Sequence, residues 1–217
     1  MHDDIGQIVL NKYVQSLQYL PKVVTGCIWE YELGDCVMYY RPVQTLSYLL
    51  AYQLSSQPPL FHILNLTYFA IAVFLVFLFI KKLTGNILVS FLTALFFLIH
   101  PINSEVVNWI SAVPELTFTI FVLLSAIFYI SWRQSGKKAG KISRKKFNWK
   151  TLRLLDTHKK LLLSSLFYFL AMLSKEPAAL LPLLFVFFDL FLLKIPFKKF
   201  FSLGELQKYG LFLAALA

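Results

Sequence analysis

An all-α bundle that crosses a membrane several times is the fold class this sequence predicts, and three observations predict it. The 217 residues are 58% apolar and 17% aromatic with only 15% charged, a balance outside the range of soluble domains. Apolar runs such as 60–80 approach the roughly 20 helical residues that cross a hydrocarbon layer of ~30 Å. The basic residues also cluster: eleven lie between positions 133 and 160, and Lys81, Lys82, Lys194, Lys198, Lys199 and Lys208 flank other apolar runs. That asymmetry is the positive-inside pattern. The net charge of +10 therefore points to anionic membrane lipids as a partner and not to nucleic acid, because the basic stretch carries few aromatics on which bases could stack. Met1 leads straight into His2, Asp3 and Asp4 with no signal-peptide pattern, and 209–217 reads as the opening of another apolar run, so the chain is read as a piece of a longer one.

Each element follows from local pattern. Residues 1–59 read as an extracytoplasmic loop broken at Pro21, with Leu46, Leu50 and Leu54 recurring at helical spacing to form an amphipathic helix at the interface, ended by Gln57-Pro58-Pro59. Three spanning helices occupy 60–132. The first, 60–80, stops at Lys81-Lys82 and the Thr84-Gly85-Asn86 turn; the second, 87–99, returns outward to His100-Pro101; the third, 114–132, goes back in. Between the last two, Asn103 or Ser104 is suited to cap a short helix carrying Val106, Val107 and Trp109. The stretch 133–160 is a basic cytoplasmic loop. One helix over 161–193 would measure about 50 Å, too long for a single crossing, so two short spans meeting at Lys175-Glu176 are expected. Residues 194–217 form a cytoplasmic segment and the start of a further, truncated span. This orientation rests on lysines alone, yet eight of the eleven acids (Asp3, Asp4, Glu30, Glu32, Asp35, Glu105, Glu115, Glu176) fall on the outward face, with His100 and Arg41.

The candidate functional residues gather on that face. Lys175-Glu176 lies between helices so short that the pair sits below the membrane surface, where ionisable groups face a cavity or a partner; a self-neutralising pair at a hairpin is the structural alternative. His100 and Glu105 are close enough to share a site, but two metal-type ligands without a third are a weak signal, and a kinked helix end explains His100 equally well. Arg41, in Tyr39-Tyr40-Arg41-Pro42, suits either a phosphate or an interfacial anchor. Asp3-Asp4 is an adjacent carboxylate pair. His62 and Asn65 are one turn apart and suited to helix pairing, and the Asn65-Leu66-Thr67 sequon lies too near the bilayer to be a good glycan acceptor. Cys27 and Cys36, in an oxidising compartment, are a candidate disulfide.

Taken in order, Asp3-Asp4, Tyr40-Arg41-Pro42, the His62 to Asn65 helix start, His100-Pro101-Ile102-Asn103-Ser104-Glu105-Val106-Val107 and Ser174-Lys175-Glu176-Pro177 resemble the membrane half of the transmembrane and TPR repeat-containing family. That family is related to protein O-mannosyltransferases and to GT-C fold glycosyltransferases. The resemblance implies a GT-C-like bundle and an inverting transfer of a sugar, with mannose a candidate, from a polyprenyl-phosphate donor to a hydroxyl of an acceptor protein outside the cytoplasm. It implies Asp3 and Asp4 as catalytic acids, with Asp3 the base; Arg41 and Lys175 as ligands of the donor phosphate; and His100, Glu105 and Glu176 in support. A divalent cation stays open as a cofactor, and the host is a bacterial inner membrane or an endoplasmic reticulum. The chain lacks the family's first span, later spans and TPR array, so activity is expected of the full-length parent and not of this fragment alone. A transporter or lipid-carrier flippase, and an inactive scaffold, are the competing readings. The almost wholly apolar cytoplasmic halves of the spans favour the enzyme.

Overall fold

The computed structural model describes residues 2–35, 39–141, 149–192, 210 and 212, and among them every regular element is helical. The segment expected as an outward loop is folded: short helical turns at His2–Asp4, Ile5–Val9, Lys12–Gln15, Leu17–Tyr19, Leu20–Thr25 and Glu30–Leu33 follow one another. Polar side chains set their starts. Asn11 accepts from the Tyr13 amide at 2.9 Å, an N-cap in the ordinary sense. Ile8, Val14 and Val23 are buried, the first two against Tyr48 and Ala51 of α1 (Pro42–Leu54). Burial of such side chains, worth roughly 1.5–3 kcal/mol each, fixes the segment on α1.

After α1 come α2 (Pro58–Thr84), α3 (Ile87–Ile99), α4 (Asn103–Asn108), α5 (Val113–Lys141), α6 (Trp149–Met172) and α7 (Leu181–Phe187). Pro58-Pro59 opens α2, where missing amides cost nothing, and Gly85 closes it in the left-handed region at φ 70°, which a residue with a Cβ rarely adopts. Asn86 then caps α3, accepting from the Leu88 and Val89 amides at 2.9 and 3.2 Å. The cap expected for α4 is not formed. Asn103 donates instead to the Phe97 carbonyl and Ser104 to that of Pro101 at 2.7 Å, because the Pro101 turn leaves those carbonyls free to take side-chain donors.

Two helices, Pro58–Thr84 and Ile110–Ser135, are long and apolar enough to cross a membrane. In the first, only 22% of the most apolar stretch is buried within the protein, unlike the core helix of a soluble domain. Phe74, Phe91 and Phe96 are among the exposed apolar side chains of α2 and α3. Helix α5 is central, packing against α2 on one side and α6 on the other. The basic stretch differs from the expected loop in that α5 runs on to Lys141 and α6 begins at Trp149. Over 161–192 the chain breaks where the sequence predicts: α6 ends at Met172, Lys175 is extended, and a tight turn of helix at Glu176–Leu180 leads into α7 and a last turn at Phe188–Leu192. The 194–217 segment lies outside the described residues apart from 210 and 212.

Candidate functional site

The folded N-terminal segment, the N-terminus of α1 and the start of α5 together enclose a cavity of about 450 Å³, within the ~300–1,000 Å³ of typical small-molecule sites. Asp3, Gln7, Trp29, Arg41, Gln44, Trp109, Ser111 and Glu115 are among its lining residues. Close packing places the first acids. Gly6 lies so near Trp29 that a Cβ would come within 2.6 Å of the indole and displace it, so glycine lets the Trp29 turn settle on the segment carrying Asp3. Tyr31 donates to the Gly6 carbonyl, and burial pushes its hydroxyl up to about 12.

The two adjacent acids have different surroundings. Asp4 accepts from both the amide (2.9 Å) and the hydroxyl of Ser111, which fastens the segment to the turn before α5. Asp3 lines the cavity, and its carboxylate takes no hydrogen bond or ion pair from any described residue. Below them Gln44, 1% exposed, donates to Gln7 at 2.6 Å and to the Tyr48 hydroxyl at 3.2 Å, and Tyr48 donates to the Ile110 carbonyl at 3.1 Å. Burial raises the Tyr48 hydroxyl above its ordinary range, so it serves as a neutral donor.

Lys175 and Glu176 do not neutralise each other. Arg41 donates from Nε and Nη2 to the two Glu176 oxygens at 3.0 and 2.8 Å, a bidentate fork, and its guanidinium stacks over Tyr39 at 4.3 Å. Its Nη1 makes no hydrogen bond to the described residues. Lys175 donates to Glu115 Oε1 at 2.8 Å. Arg41 and Glu115 line the cavity; Lys175 and Glu176 stand behind them.

His100 and Glu105 are not brought to this site. Both are exposed, and His100 Nδ1 accepts from the Ile102 amide at 3.2 Å, as a helix end. Among the described residues no group of three or more His, Cys, Asp and Glu side chains could hold a metal ion. Asn65 is fully buried and donates to the Val106 and Trp109 carbonyls at 3.3 and 2.8 Å, so its amide braces the turn that carries Trp109 and is closed to a glycan. Cys27 is disulfide-bonded; Cys36, its candidate partner, lies outside the described residues. Glu115, Gln44, Gln7 and the two tryptophans are site residues the motifs do not single out. The only signal for Glu115 was its place among the outward acids, just after Pro114.

Geometry alone defines a class: among the described residues, an all-helical protein with two helices long and apolar enough to cross a membrane and a cavity lined by several acids and by Arg41. Comparison with known proteins narrows it. The chain is 30% identical over 130 residues to human protein O-mannosyl-transferase TMTC3, covering 58% of this chain and 14% of that protein. The mouse protein of the same name is 29% identical over the same length, and Caenorhabditis elegans protein O-mannosyl-transferase F38B6.6 is 29% identical over 143 residues, 63% of this chain and 21% of that one. The chain is thus related to the TMTC family of protein O-mannosyl-transferases, and it spans well under a quarter of the length of these relatives. No family model and no solved structure matches it.

Proposed function

We propose that this chain is part of a membrane glycosyltransferase of GT-C type that moves a sugar, mannose by the names of its relatives, from a polyprenyl-phosphate donor to a protein hydroxyl on the face away from the cytoplasm. The observation that carries this reading is one cavity lined by Asp3, whose carboxylate has no partner among the described residues, and by Arg41, with Trp29 and Trp109. In the transfer, the acceptor oxygen bonds to the anomeric carbon as the bond from that carbon to the phosphate oxygen breaks. The leaving polyprenyl phosphate keeps the electron pair, and Asp3 takes the acceptor's proton. Attack opposite the leaving group inverts the anomeric centre. Arg41 offers its remaining donors to the departing phosphate, and a guanidinium fixed before the reaction loses little entropy in doing so. Asp4, committed to Ser111, holds the loop.

Membrane placement follows the same proposal. Helices α2, α3 and α5, with two shorter segments on either side of Lys175-Glu176, make five spans, and α1 lies at the interface, in an inner bacterial or endoplasmic reticulum membrane. The exposed phenylalanines of α2 and α3 support lipid contact. The test is direct. The full-length parent in vesicles, given polyprenyl-phosphate mannose and a hydroxyl-bearing acceptor protein, should yield mannosylated protein. Movement of the lipid across the vesicle without transfer would favour the flippase, and neither activity would favour the scaffold.

A further inference from the structure

Glu115 has one oxygen committed and one without a partner. Oε1 accepts from Lys175 at 2.8 Å, whereas the buried Oε2 finds no hydrogen-bond donor among the described residues. The residue lines the same cavity as Asp3, and so does Gln44, a side chain 1% exposed whose buried Oε1 also finds no donor among the described residues. Buried acceptors left unmatched in a native cavity call for donors from elsewhere. These two acceptors therefore call for hydrogen-bond donors, which a sugar's hydroxyls would supply, and two indole rings are on hand for an apolar sugar face. Lys175 is placed to fix this carboxylate. It is absent from the cavity lining, its ammonium is bonded to Glu115, and the next residue, Glu176, holds Arg41 in the same manner, so one turn of chain braces two cavity walls.

We propose that Glu115 is a substrate-contacting carboxylate that accepts a hydrogen bond from a hydroxyl of the transferred sugar or of the acceptor, and that Lys175 is its positioning residue and not a ligand of the donor phosphate. The inference rests on the transferase reading of the cavity, but it fails separately from that reading. The full-length parent is prepared as Glu115→Gln, Lys175→Met, Lys175→Arg, the Glu115→Gln/Lys175→Met double variant and Arg41→Ala. Binding of sugar-free polyprenyl phosphate in neutral phosphatidylcholine vesicles is measured together with the KM for donor and for acceptor. Sugar-free phosphate should bind unchanged to the Glu115 and Lys175 variants. Glu115→Gln should raise one KM about tenfold, the worth of one hydrogen bond to a charged group: the donor's if the hydroxyl is on the sugar, the acceptor's if it is there. Lys175→Met should raise the same constant, the double variant should be no worse than Glu115→Gln, and Lys175→Arg should recover most of the loss. Phosphate binding lost in Lys175→Met, additive effects in the double variant, or two unchanged KM values in Glu115→Gln would overturn the proposal. Undiminished phosphate binding by Arg41→Ala would instead remove the phosphate role of Arg41 and leave the hydroxyl contact of Glu115 standing.

Discussion

Arg41 and Arg133 each reach a carboxylate far away in the chain, yet the two pairs are built for opposite ends. Arg41 grips Glu176, whose side chain is 53% exposed, and itself lines the cavity. Arg133, 8% exposed, meets the fully buried Asp189 beneath Tyr129 and Trp132: the Tyr129 hydroxyl donates to Asp189 Oδ2 at 2.7 Å, and the guanidinium lies 4.5 Å from the Trp132 ring. Two charges taken out of water need close pairing, and neither residue lines the cavity, so the sealed pair serves structure. The half-open pair keeps hydrogen-bonding capacity that a ligand can use. Pairing an arginine with a carboxylate therefore says little about function until the surroundings of both partners are known.

Removing the contrast of sides would break this comparison most thoroughly. In intact vesicles, cysteines introduced at Asp35 and at Gly140, on the segments expected outside and inside, should react with an impermeant thiol reagent from opposite faces, in a background lacking Cys27 and Cys36. Asp35 is preferred to Gly34, whose φ of 78° makes a side chain there strained. Labelling of both from one face would end the orientation. Next in size is the sealed pair itself. Asp189→Ala takes the carboxylate away from a buried guanidinium and should destabilise the protein by about 3–5 kcal/mol in detergent unfolding, while Glu176→Gln, at the half-open pair, should change stability by no more than ~1 kcal/mol. Equal losses would mean that both pairs are structural.

The smallest effect belongs to Lys22 and Glu30, paired at 2.8 Å on the outward segment with only the lysine exposed. The hydrogen bond from Lys22 chiefly lowers the Glu30 carboxyl from its usual range. A depressed carboxylate contributes stability that is fully present above its unfolded pKa, about 4.3, and is lost as pH falls through the lower folded value. Glu30→Gln should therefore flatten the acid side of the melting profile slightly and leave the neutral-pH melting temperature nearly unchanged. A large drop at neutral pH would show that this turn, and not the Asp4 contact with Ser111, holds the cavity wall.

What the sequence makes legible divides along the same line between local and distant causes. Helix α3 is found at its expected bounds because its signals are adjacent: Gly85 ends the preceding helix, Asn86 caps the next, and His100-Pro101 stops it. The break at Lys175 is legible from length alone. The outward segment was not legible as a folded unit, since its turns are too short for helical periodicity and take their shape from burial against α1. In the site, Asp3 and Arg41 stand out by motif. Glu115 does not, because an acid in the first turn of a helix is ordinary dipole grammar, and its meaning comes from Lys175, which no local pattern brings near. His100 and Glu105, singled out by motif, are exposed and do not line this cavity.

In the proposed transfer the base is Asp3, the acid of the pair whose carboxylate has no partner among the described residues. The measurement that tests it most directly is the turnover of Asp3→Asn and Asp4→Asn in the full-length parent, with polyprenyl-phosphate mannose at saturation and donor binding followed separately. Asp3→Asn should lower turnover by roughly 10²–10⁴-fold, the range for a positioned general base, with donor binding intact, and Asp4→Asn should lower it less. Near-normal turnover of Asp3→Asn in a correctly inserted protein would contradict the account.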